Sequence, residues 1–175
     1  MKQGAILLAA ALAVNALPAA AQDAPAGPSQ DAAYHNRQAG ALAQRAAEGW
    51  NRLEGGLLWT RIAGDGVGPK PSIADDVTVH YEGSFVDGKV FDSSYARGEP
   101  ASFPLSGLIR AWQLAIPQMA VGDTIMLAVP DSMGYGYAGR GPIPGGATLI
   151  FKVELLGIGD EGEAQPVCSS ENGDC

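Results

Sequence analysis

The stretch Val77-Thr-Val-His-Tyr-Glu82 decides the fold of this chain. Its apolar and polar residues alternate, so Val77, Val79 and Tyr81 share one face of an extended strand while His80 lies on the other. An alternation of this kind predicts a half-buried strand in an antiparallel sheet that has one face covered.

The same pattern recurs on both sides of this stretch. Residues 124–129 and 149–155 alternate in the same way, and the apolar run at 57–62 ends in the turn cluster Gly64-Asp65-Gly66. The apolar segment Leu108–Ile116 carries Trp112 and ends at Pro117, which indicates a short helix. Together these elements predict an α+β fold, a bent antiparallel sheet packed around one short helix.

An N-terminal helical extension is predicted from Asp31 to about Leu53, where Ala, Gln, Arg and Glu are frequent. Ser29 or Asp31 would cap this helix, and Gly55-Gly56 would end it. One apolar stripe runs along it, formed by Leu42, Ala46, Trp50 and Leu53. We expect the stripe to pack on its own domain, because one helix of this length is short for a stable homodimer interface; a second copy of the chain is the alternative.

Composition excludes several classes of protein. Apolar residues make up 46% of the 175 positions, enough for a packed core, and the net charge is −8. Such an acidic chain is not expected to bind nucleic acid, because phosphate contacts need a surplus of Lys and Arg.

The two ends are predicted to lie outside the fold. Residues 1–21 combine Lys2, an apolar run and small residues up to Ala21, which is typical of a cleaved secretory signal peptide and predicts export to the periplasm. An uncleaved membrane anchor is the alternative, but the run is short and rich in alanine. No cysteine follows it, so no lipid anchor is expected there. Residues 22–30 form a Pro/Ala/Gly spacer.

Residues 159–175 are predicted to form an acidic, solvated tail. The only cysteines of the chain, Cys168 and Cys175, lie in this tail. They would either close a small disulfide loop in an oxidising compartment or remain as thiols.

A search for reactive motifs gives little. His35 and His80 have no partner at a spacing that suits a metal site or a catalytic triad, and no Gly-x-Ser-x-Gly or His-Glu-x-x-His motif is present. The glycine-rich segment 134–141 lacks the Lys-Ser/Thr pair of a phosphate-binding loop and is interpreted as a flexible rim loop. We therefore expect surface histidines, no metal and no cofactor.

Five aromatic residues are instead predicted to point inward, and taken singly each is explained by the core: Tyr81, Phe91, Trp112, Tyr135 and Phe151. They occur within blocks that, in order and spacing, resemble the FKBP-type peptidyl-prolyl isomerases. These blocks are Val79-His-Tyr-Glu-Gly83, Asp87-Gly-Lys-Val-Phe-Asp-Ser-Ser94, Ala96-Arg-Gly-Glu-Pro100, Leu108-Ile-Arg-Ala-Trp112, Tyr135-Gly136, Ile143-Pro144 and Ala147-Thr-Leu-Ile-Phe-Lys-Val-Glu-Leu-Leu156. The resemblance covers about residues 57–158.

The resemblance implies a five- to six-stranded antiparallel sheet around the short helix, with a hydrophobic pocket between them. By position, Trp112 would be the floor of that pocket and Tyr81, Phe91 and Phe151 would line it. Leu108 and Ile109 would form one wall, and Ile143 the opposite rim. The Ile109 N–H and the Tyr135 hydroxyl would hold substrate carbonyls, and Asp92 at the pocket edge would pair with Arg97.

Three positions depart from the usual family pattern. Ala101 stands where an aromatic residue is common, although Phe103 two residues later would compensate; Ala111 and Gly134 replace a frequent glycine and a frequent alanine. These differences affect the rim of the implied pocket.

The function implied by the resemblance is peptidyl-prolyl cis-trans isomerisation during the folding of exported proteins. Partners would be proline-containing polypeptides, unfolded exported proteins and FK506-type macrolides. The alternative is a periplasmic chaperone or partner-binding module with little turnover, for which the N-terminal helix would offer a second binding surface.

Overall fold

The computed structural model describes residues 31–159 of the chain. Within this range, seven strands form one antiparallel sheet: β1 (Asn51–Arg52), β2 (Leu58–Ala63), β3 (Asp76–Phe85), β4 (Val90–Ser93), β5 (Ala101–Pro104), β6 (Thr124–Val129) and β7 (Leu149–Ile158). The helices are α1 (Ala32–Ala47), α2 (Ser94–Arg97) and α3 (Arg110–Ala115). The predicted α+β class is confirmed.

The strand order is β1-β2-β6-β7-β3-β4, and β5 also pairs with β3. The long central strands β3 and β7 pair from Val77–Ile158 to Phe85–Leu149. The sheet has more strands than the five to six expected, because β1 has two exposed residues and leaves no alternation to detect.

The main core lies between the sheet and α3. The strand residues predicted to point inward are buried there, among them Val77, Val79, Ile125 and Leu127. Helix α3 contributes Trp112 and Ala115 to the same cluster. This packing places the aromatic side chains of the sheet directly against α3.

Helix α1 covers the other face of the sheet. Leu42, Ala46 and Trp50 pack against a small cluster that contains Leu58 and Ile150. The stripe therefore packs on its own domain, as expected, although its fourth residue, Leu53, packs against the main core instead. None of the helices within residues 31–159 is long and apolar enough to cross a membrane.

The predicted end of α1 was wrong. Asp31 does cap the helix, accepting a hydrogen bond from the Ala33 N–H at 2.9 Å, but the helix ends at Ala47 and not near Leu53. Gly49 follows with a φ of 83°, a left-handed conformation that turns the chain into β1.

The start of α3 was also predicted too early. Leu108 and Ile109 are extended, with Ile109 at φ −60° and ψ 150°, and the helix begins at Arg110. A 3-10 turn over Ile116–Gln118 follows the helix and contains Pro117. Residues 1–30 and 160–175 lie outside the described residues, and with them the predicted signal peptide, the acidic tail and the two cysteines.

Candidate functional site: an aromatic cup between sheet and helix

Five aromatic rings, one each from β3, β4, β5, α3 and β7, meet on the α3 side of the sheet. We call this set the aromatic cup; its members are Tyr81, Phe91, Phe103, Trp112 and Phe151. The rings of Tyr81 and Phe151 stand edge-on to Trp112, with centroids 5.4 and 5.5 Å from it. Trp112 is 4% exposed and thus lies at the bottom of the cup.

Phe91 and Phe103 close two sides of the cup. The Phe91 ring lies 5.7 Å from that of Phe151, and the Phe103 ring lies 6.2 Å from Tyr81 and 6.5 Å from Trp112. Phe103 thus supplies an aromatic side chain next to Ala101, where the sequence departs from the usual pattern.

Gly83 makes room for two of these rings. A Cβ atom at this position would lie 2.6 Å from Cζ of Phe91 and 2.8 Å from Cε1 of Phe151. Such distances are below van der Waals contact, so any side chain at position 83 would displace a ring.

A polar triad lies at the edge of the cup. The Tyr81 hydroxyl donates to Oδ2 of Asp92, and Arg97 binds both partners, its Nη1 to Oδ1 of Asp92 and its Nη2 to the Tyr81 hydroxyl at 3.1 Å. The Arg97 guanidinium also lies over the Tyr81 ring, 5.5 Å from its centroid. The ion pair predicted between Asp92 and Arg97 is present in the structure.

The triad separates the pKa values of its two acidic groups. Burial raises the pKa of Asp92, but the hydrogen bonds from Tyr81 and Arg97 outweigh it and leave the pKa below its ordinary value. Burial and the bond to Asp92 raise the pKa of Tyr81. At neutral pH Asp92 is therefore a carboxylate and Tyr81 a neutral phenol.

One wall of the cup is set by the segment before α3. Leu108 and Ile109 are half-buried and pack against the core, and the Ile109 N–H donates to no acceptor within residues 31–159. Gln113 fixes this segment, because its Nε2 donates to the carbonyls of Leu108 at 2.8 Å and Ser106 at 3.0 Å.

The opposite side is formed by residues 131–147, which we call the rim loop. It brings Tyr135 and Ile143 against the core cluster. The loop is folded on itself: the Gly146 N–H bonds the Gly136 carbonyl at 3.1 Å, and Arg140 and Ile143 exchange two backbone bonds of 2.9 Å.

The residues proposed for the site from the sequence thus belong to the cup, to the polar triad beside it, or to the hydrophobic residues of the same core cluster. Three further residues support it and were not identified: Phe85, Ser94 and Gln113. The fully buried Ser94 hydroxyl accepts from the Tyr81 N–H at 2.7 Å and donates to the Tyr81 carbonyl at 3.2 Å. Ser94 could have been identified from the sequence as the second serine of Asp92-Ser-Ser94. The role of Gln113 could not, because its side chain bonds a non-helical segment that has no periodic sequence pattern.

The histidines are more constrained than the surface positions expected for them. His80 lies on the outer face of β3, where its Nδ1 is 2.9 Å from the Ser94 hydroxyl and its ring stacks on Tyr95 at 4.6 Å. His35 packs edge-on to Tyr34 at 5.4 Å. Within residues 31–159, no group of three His, Cys, Asp or Glu side chains is placed to hold a metal ion.

The floor of the cup holds one unsatisfied donor. The indole Nε1 of Trp112 is buried and has no hydrogen-bond partner among the described residues. A buried polar group without a partner is costly, so this donor lowers the stability of the folded chain.

The structure is thus an α+β protein in which one face of an antiparallel sheet packs on a short helix, with the aromatic cup between them. Residues 68–156 match the family model described as FKBP-type peptidyl-prolyl cis-trans isomerase. The chain belongs to this family.

Individual relatives agree with the assignment. The chain is 48% identical over 112 residues to the FKBP-type 22 kDa peptidyl-prolyl cis-trans isomerase of Escherichia coli, covering 63% of this chain and 54% of the relative. It is 42% identical over 110 residues to FK506-binding protein 2 of Debaryomyces hansenii, covering 62% of this chain and 81% of the relative. The chain therefore spans about half the length of the first relative and most of the second.

A solved structure shows the same fold. The crystal structure of a peptidyl-prolyl cis-trans isomerase from Pseudomonas syringae superposes with a TM-score of 0.67 at 32% identity, covering 75% of this chain and 99% of that one.

Proposed function

We propose that this protein catalyses cis-trans isomerisation of Xaa-Pro peptide bonds, with the proline ring held in the aromatic cup. The observation that carries the proposal is the packing of the Tyr81, Phe91, Trp112 and Phe151 rings against one another on the α3 side of the sheet, in a chain of this family. Residues 57–158 would form the catalytic unit.

The chemistry requires no covalent intermediate. The trans form of an Xaa-Pro bond is favoured by only about 0.5–1 kcal/mol, whereas rotation costs about 18–20 kcal/mol because it breaks amide resonance. Water stabilises the planar, polar amide more than the twisted one. A site that removes water from the amide therefore lowers the barrier, and each tenfold gain in rate requires about 1.4 kcal/mol.

Each residue of the site has a role in this proposal. The rings of the cup hold the proline and exclude water, with Leu108 and Ile143 bordering it. The free N–H of Ile109 and the Tyr135 hydroxyl would bind carbonyls on either side of the proline and favour the twisted geometry. The carboxylate of Asp92, held by Arg97, would act through its charge and not as a proton donor.

A proline peptide assay coupled to an isomer-specific protease tests the proposal. We expect the wild-type chain to accelerate the slow phase, and Trp112→Ala or Phe91→Ala to abolish most of the acceleration. Trp50→Ala is the matched control, because Trp50 packs on the opposite face of the sheet. Wild type no faster than the cup variants would refute the proposal.

An FK506-type macrolide provides a second readout of the same site. The name of the Debaryomyces relative states that it binds FK506, and this chain is proposed to bind such macrolides in the cup. Binding would quench or shift Trp112 fluorescence and inhibit the assay competitively with the peptide.

We further propose that the protein is exported and that its substrates are unfolded exported polypeptides. This part rests on the signal-like sequence of residues 1–21. Mass spectrometry of the protein recovered from the periplasm tests it: a mature chain that begins at Gln22 is expected, and an intact residue 1 would contradict export by cleavage.

The alternative of a chaperone with little turnover included the N-terminal helix as a second binding surface. The apolar stripe is covered by the sheet of its own domain through Leu42, Ala46 and Trp50. This packing removes the stripe as that second surface, and it disfavours a homodimer formed through the stripe.

A further inference from the structure

A groove of about 660 Å³ lies outside the aromatic cup, between α1, the β3–β4 turn and the rim loop. We call it the α1 groove; the residues used below are Tyr34, Arg37, Phe85, Lys89, Pro142 and Pro144. Its volume falls within the range of about 300–1,000 Å³ typical of ligand sites. None of the roles proposed for the cup involves this space.

The groove and the cup share a wall. The Phe85 ring lines the groove and lies 5.1 Å from the ring of Phe91, which lines the cup. Pro142 and Pro144 line the groove and are the chain neighbours of Ile143, which packs into the cluster that forms the cup. A polypeptide with its proline in the cup would therefore meet the groove as it leaves over this wall.

The inner side of the groove is a fixed surface. The buried Gln38 accepts a hydrogen bond from the Thr148 N–H at 2.8 Å, which joins α1 to the end of the rim loop. Gly146 lies so close to His35 that a Cβ atom there would be 2.9 Å from the imidazole. The groove is thus preformed, and binding would require little reorganisation.

Polar groups in the groove have unused hydrogen-bonding capacity. The Tyr34 hydroxyl is buried and has no partner within residues 31–159. Burial and Asp131 raise its pKa while Arg37 lowers it, and the net shift is upward, so the hydroxyl stays protonated at neutral pH. It is therefore a protonated donor without a partner, buried in the wall of the groove.

Two exposed cations also line the groove. The three ion pairs of the described residues involve Arg61, Arg97 and Arg110, so Arg37 and Lys89 have no ion partner there. The one carboxylate in the groove, Asp87, accepts the backbone N–H of Lys89. In a chain with a net charge of −8, two unpaired cations around one groove favour an occupant that carries an acidic side chain.

We propose that the α1 groove is a subsite for the polypeptide segment that flanks the isomerised proline, and that it selects segments with an acidic residue beside an apolar one. Arg37 and Lys89 would bind the carboxylate, and Phe85 with Pro142 and Pro144 would contact the apolar residue. This inference rests on the proposed isomerase function, and it makes α1 a specificity element of that function.

The test compares short and long substrates. A proline tetrapeptide occupies the cup alone, whereas a dodecapeptide with glutamates on both sides of its proline also reaches the groove. For the double variant Arg37→Ala/Lys89→Ala we expect KM for the dodecapeptide to rise about fivefold or more with kcat unchanged, as for two exposed ion pairs. The tetrapeptide, and a dodecapeptide with glutamine in place of glutamate, should respond less than about twofold.

Lys70→Ala is the matched control. Lys70 is an exposed cation whose Nζ lies 3.4 Å from the Gln118 carbonyl, away from α1. Equal responses of the short and long substrates, or no response of either, would overturn the subsite.

A binding measurement separates this proposal from isomerase activity. Fluorescence anisotropy is measured on a labelled dodecapeptide whose proline is replaced by alanine, which cannot be isomerised. Weaker binding to the double variant than to the wild type supports the groove even if turnover is absent. High salt should abolish this difference, because it screens the ion pairs. Equal binding, or cross-linking of Lys89 to the chain's own acidic tail in place of the peptide, would refute it.

Discussion

At the scale of single residues, the site depends on how closely its aromatic rings approach one another and the backbone, and not on reactive side chains. Gly83 allows the rings of Phe91 and Phe151 to meet, and Ser94 holds the backbone of Tyr81 on both its N–H and its carbonyl. Asp92 and Arg97 fix the hydroxyl of Tyr81 at the edge of the cup. The geometry of the cup therefore follows from a few small and polar residues behind its rings.

Gly83→Ala is expected to disturb the cup directly. The added methyl group would lie 2.6 Å from Phe91, and overpacking of this kind costs about 1–3 kcal/mol of folding free energy. We expect a lower melting temperature together with reduced isomerase activity, measured by thermal unfolding and the peptide assay. Gly40→Ala is the control, because nothing lies within 4 Å of a Cβ there and alanine favours a helix interior. A fully active Gly83→Ala protein would contradict the arrangement described for the cup.

Asp123 provides a prediction about acid stability. This buried carboxylate accepts bonds from the Ala120 N–H at 2.8 Å, the Gly66 N–H at 3.1 Å and Nε of Arg61 at 3.1 Å. Burial raises its pKa, but these donors outweigh burial and lower it. The contribution of this carboxylate to the free energy of unfolding is therefore fully present above the pKa that Asp123 has in the unfolded chain. It is lost as the pH falls through the lower pKa that Asp123 has in the folded state.

Asp123→Asn should consequently lose about 2–4 kcal/mol of unfolding free energy at pH 7. The difference from wild type should shrink as the pH is lowered from about 5 towards 2. Urea unfolding at several pH values measures this difference. Glu99→Gln, at an exposed carboxylate, serves as the control. A difference that stays constant with pH would show that the carboxylate charge is not what stabilises the fold.

At the scale of elements, sequence periodicity predicted the long alternating strands. It missed the helix end and the short strands, which depend on one residue or on pairing with another strand. The alternation in β3, β6 and β7 was sufficient to identify the sheet and its buried face. The end of α1 was wrong because Gly49 ends the helix within a sequence that still favours it. Strands β4 and β5 have four residues each and depend on pairing with β3, which single-sequence patterns do not contain.

The position of the cup residues was predicted by resemblance, not by periodicity. Alternation alone predicts that Tyr81 and Phe151 point inward, but it does not distinguish a residue of a binding site from an ordinary core residue. The contact between α1 and the rim loop could not be predicted, because it depends on one glutamine that reaches across 110 positions to Thr148.

Gln38→Ala tests that contact between elements. The Thr148 N–H would lose its acceptor inside the protein, which costs about 1–3 kcal/mol. We expect lower stability and faster hydrogen exchange at the end of the rim loop, measured by mass spectrometry. Gln44→Ala is the control, since Gln44 lies on the same helix and bonds only the exposed Glu48. Unchanged exchange around residue 148 would show that α1 does not hold the loop.

At the scale of the whole molecule, α1 is part of the domain that it precedes. It covers the outer face of the sheet, where Leu42, Ala46 and Trp50 are used for internal packing. The chain spans about half the length of its Escherichia coli relative, and the described residues include the seven-stranded sheet, the short helix and the cup.

The mature chain is expected to be a monomer, because the one apolar stripe of α1 is covered by its own sheet. Light scattering coupled to size exclusion measures this directly. A dimer that Trp50→Ala dissociates would contradict the packing of the stripe on its own domain.

The central claim is that a dry aromatic cup lowers the barrier to rotation of an Xaa-Pro bond without acid-base chemistry. The pKa of Asp92 is lowered and that of Tyr81 is raised, so neither group changes its charge between about pH 5 and 9.

The most direct test is the catalysed cis-trans exchange rate of a proline peptide, measured by NMR exchange spectroscopy across that pH range. The account predicts clear catalysis with a rate that varies less than about threefold, whereas general acid-base catalysis contributes about 10²–10⁴-fold and depends on pH. Absence of catalysis at every pH, or a rate that changes more than about tenfold across the range, would contradict it.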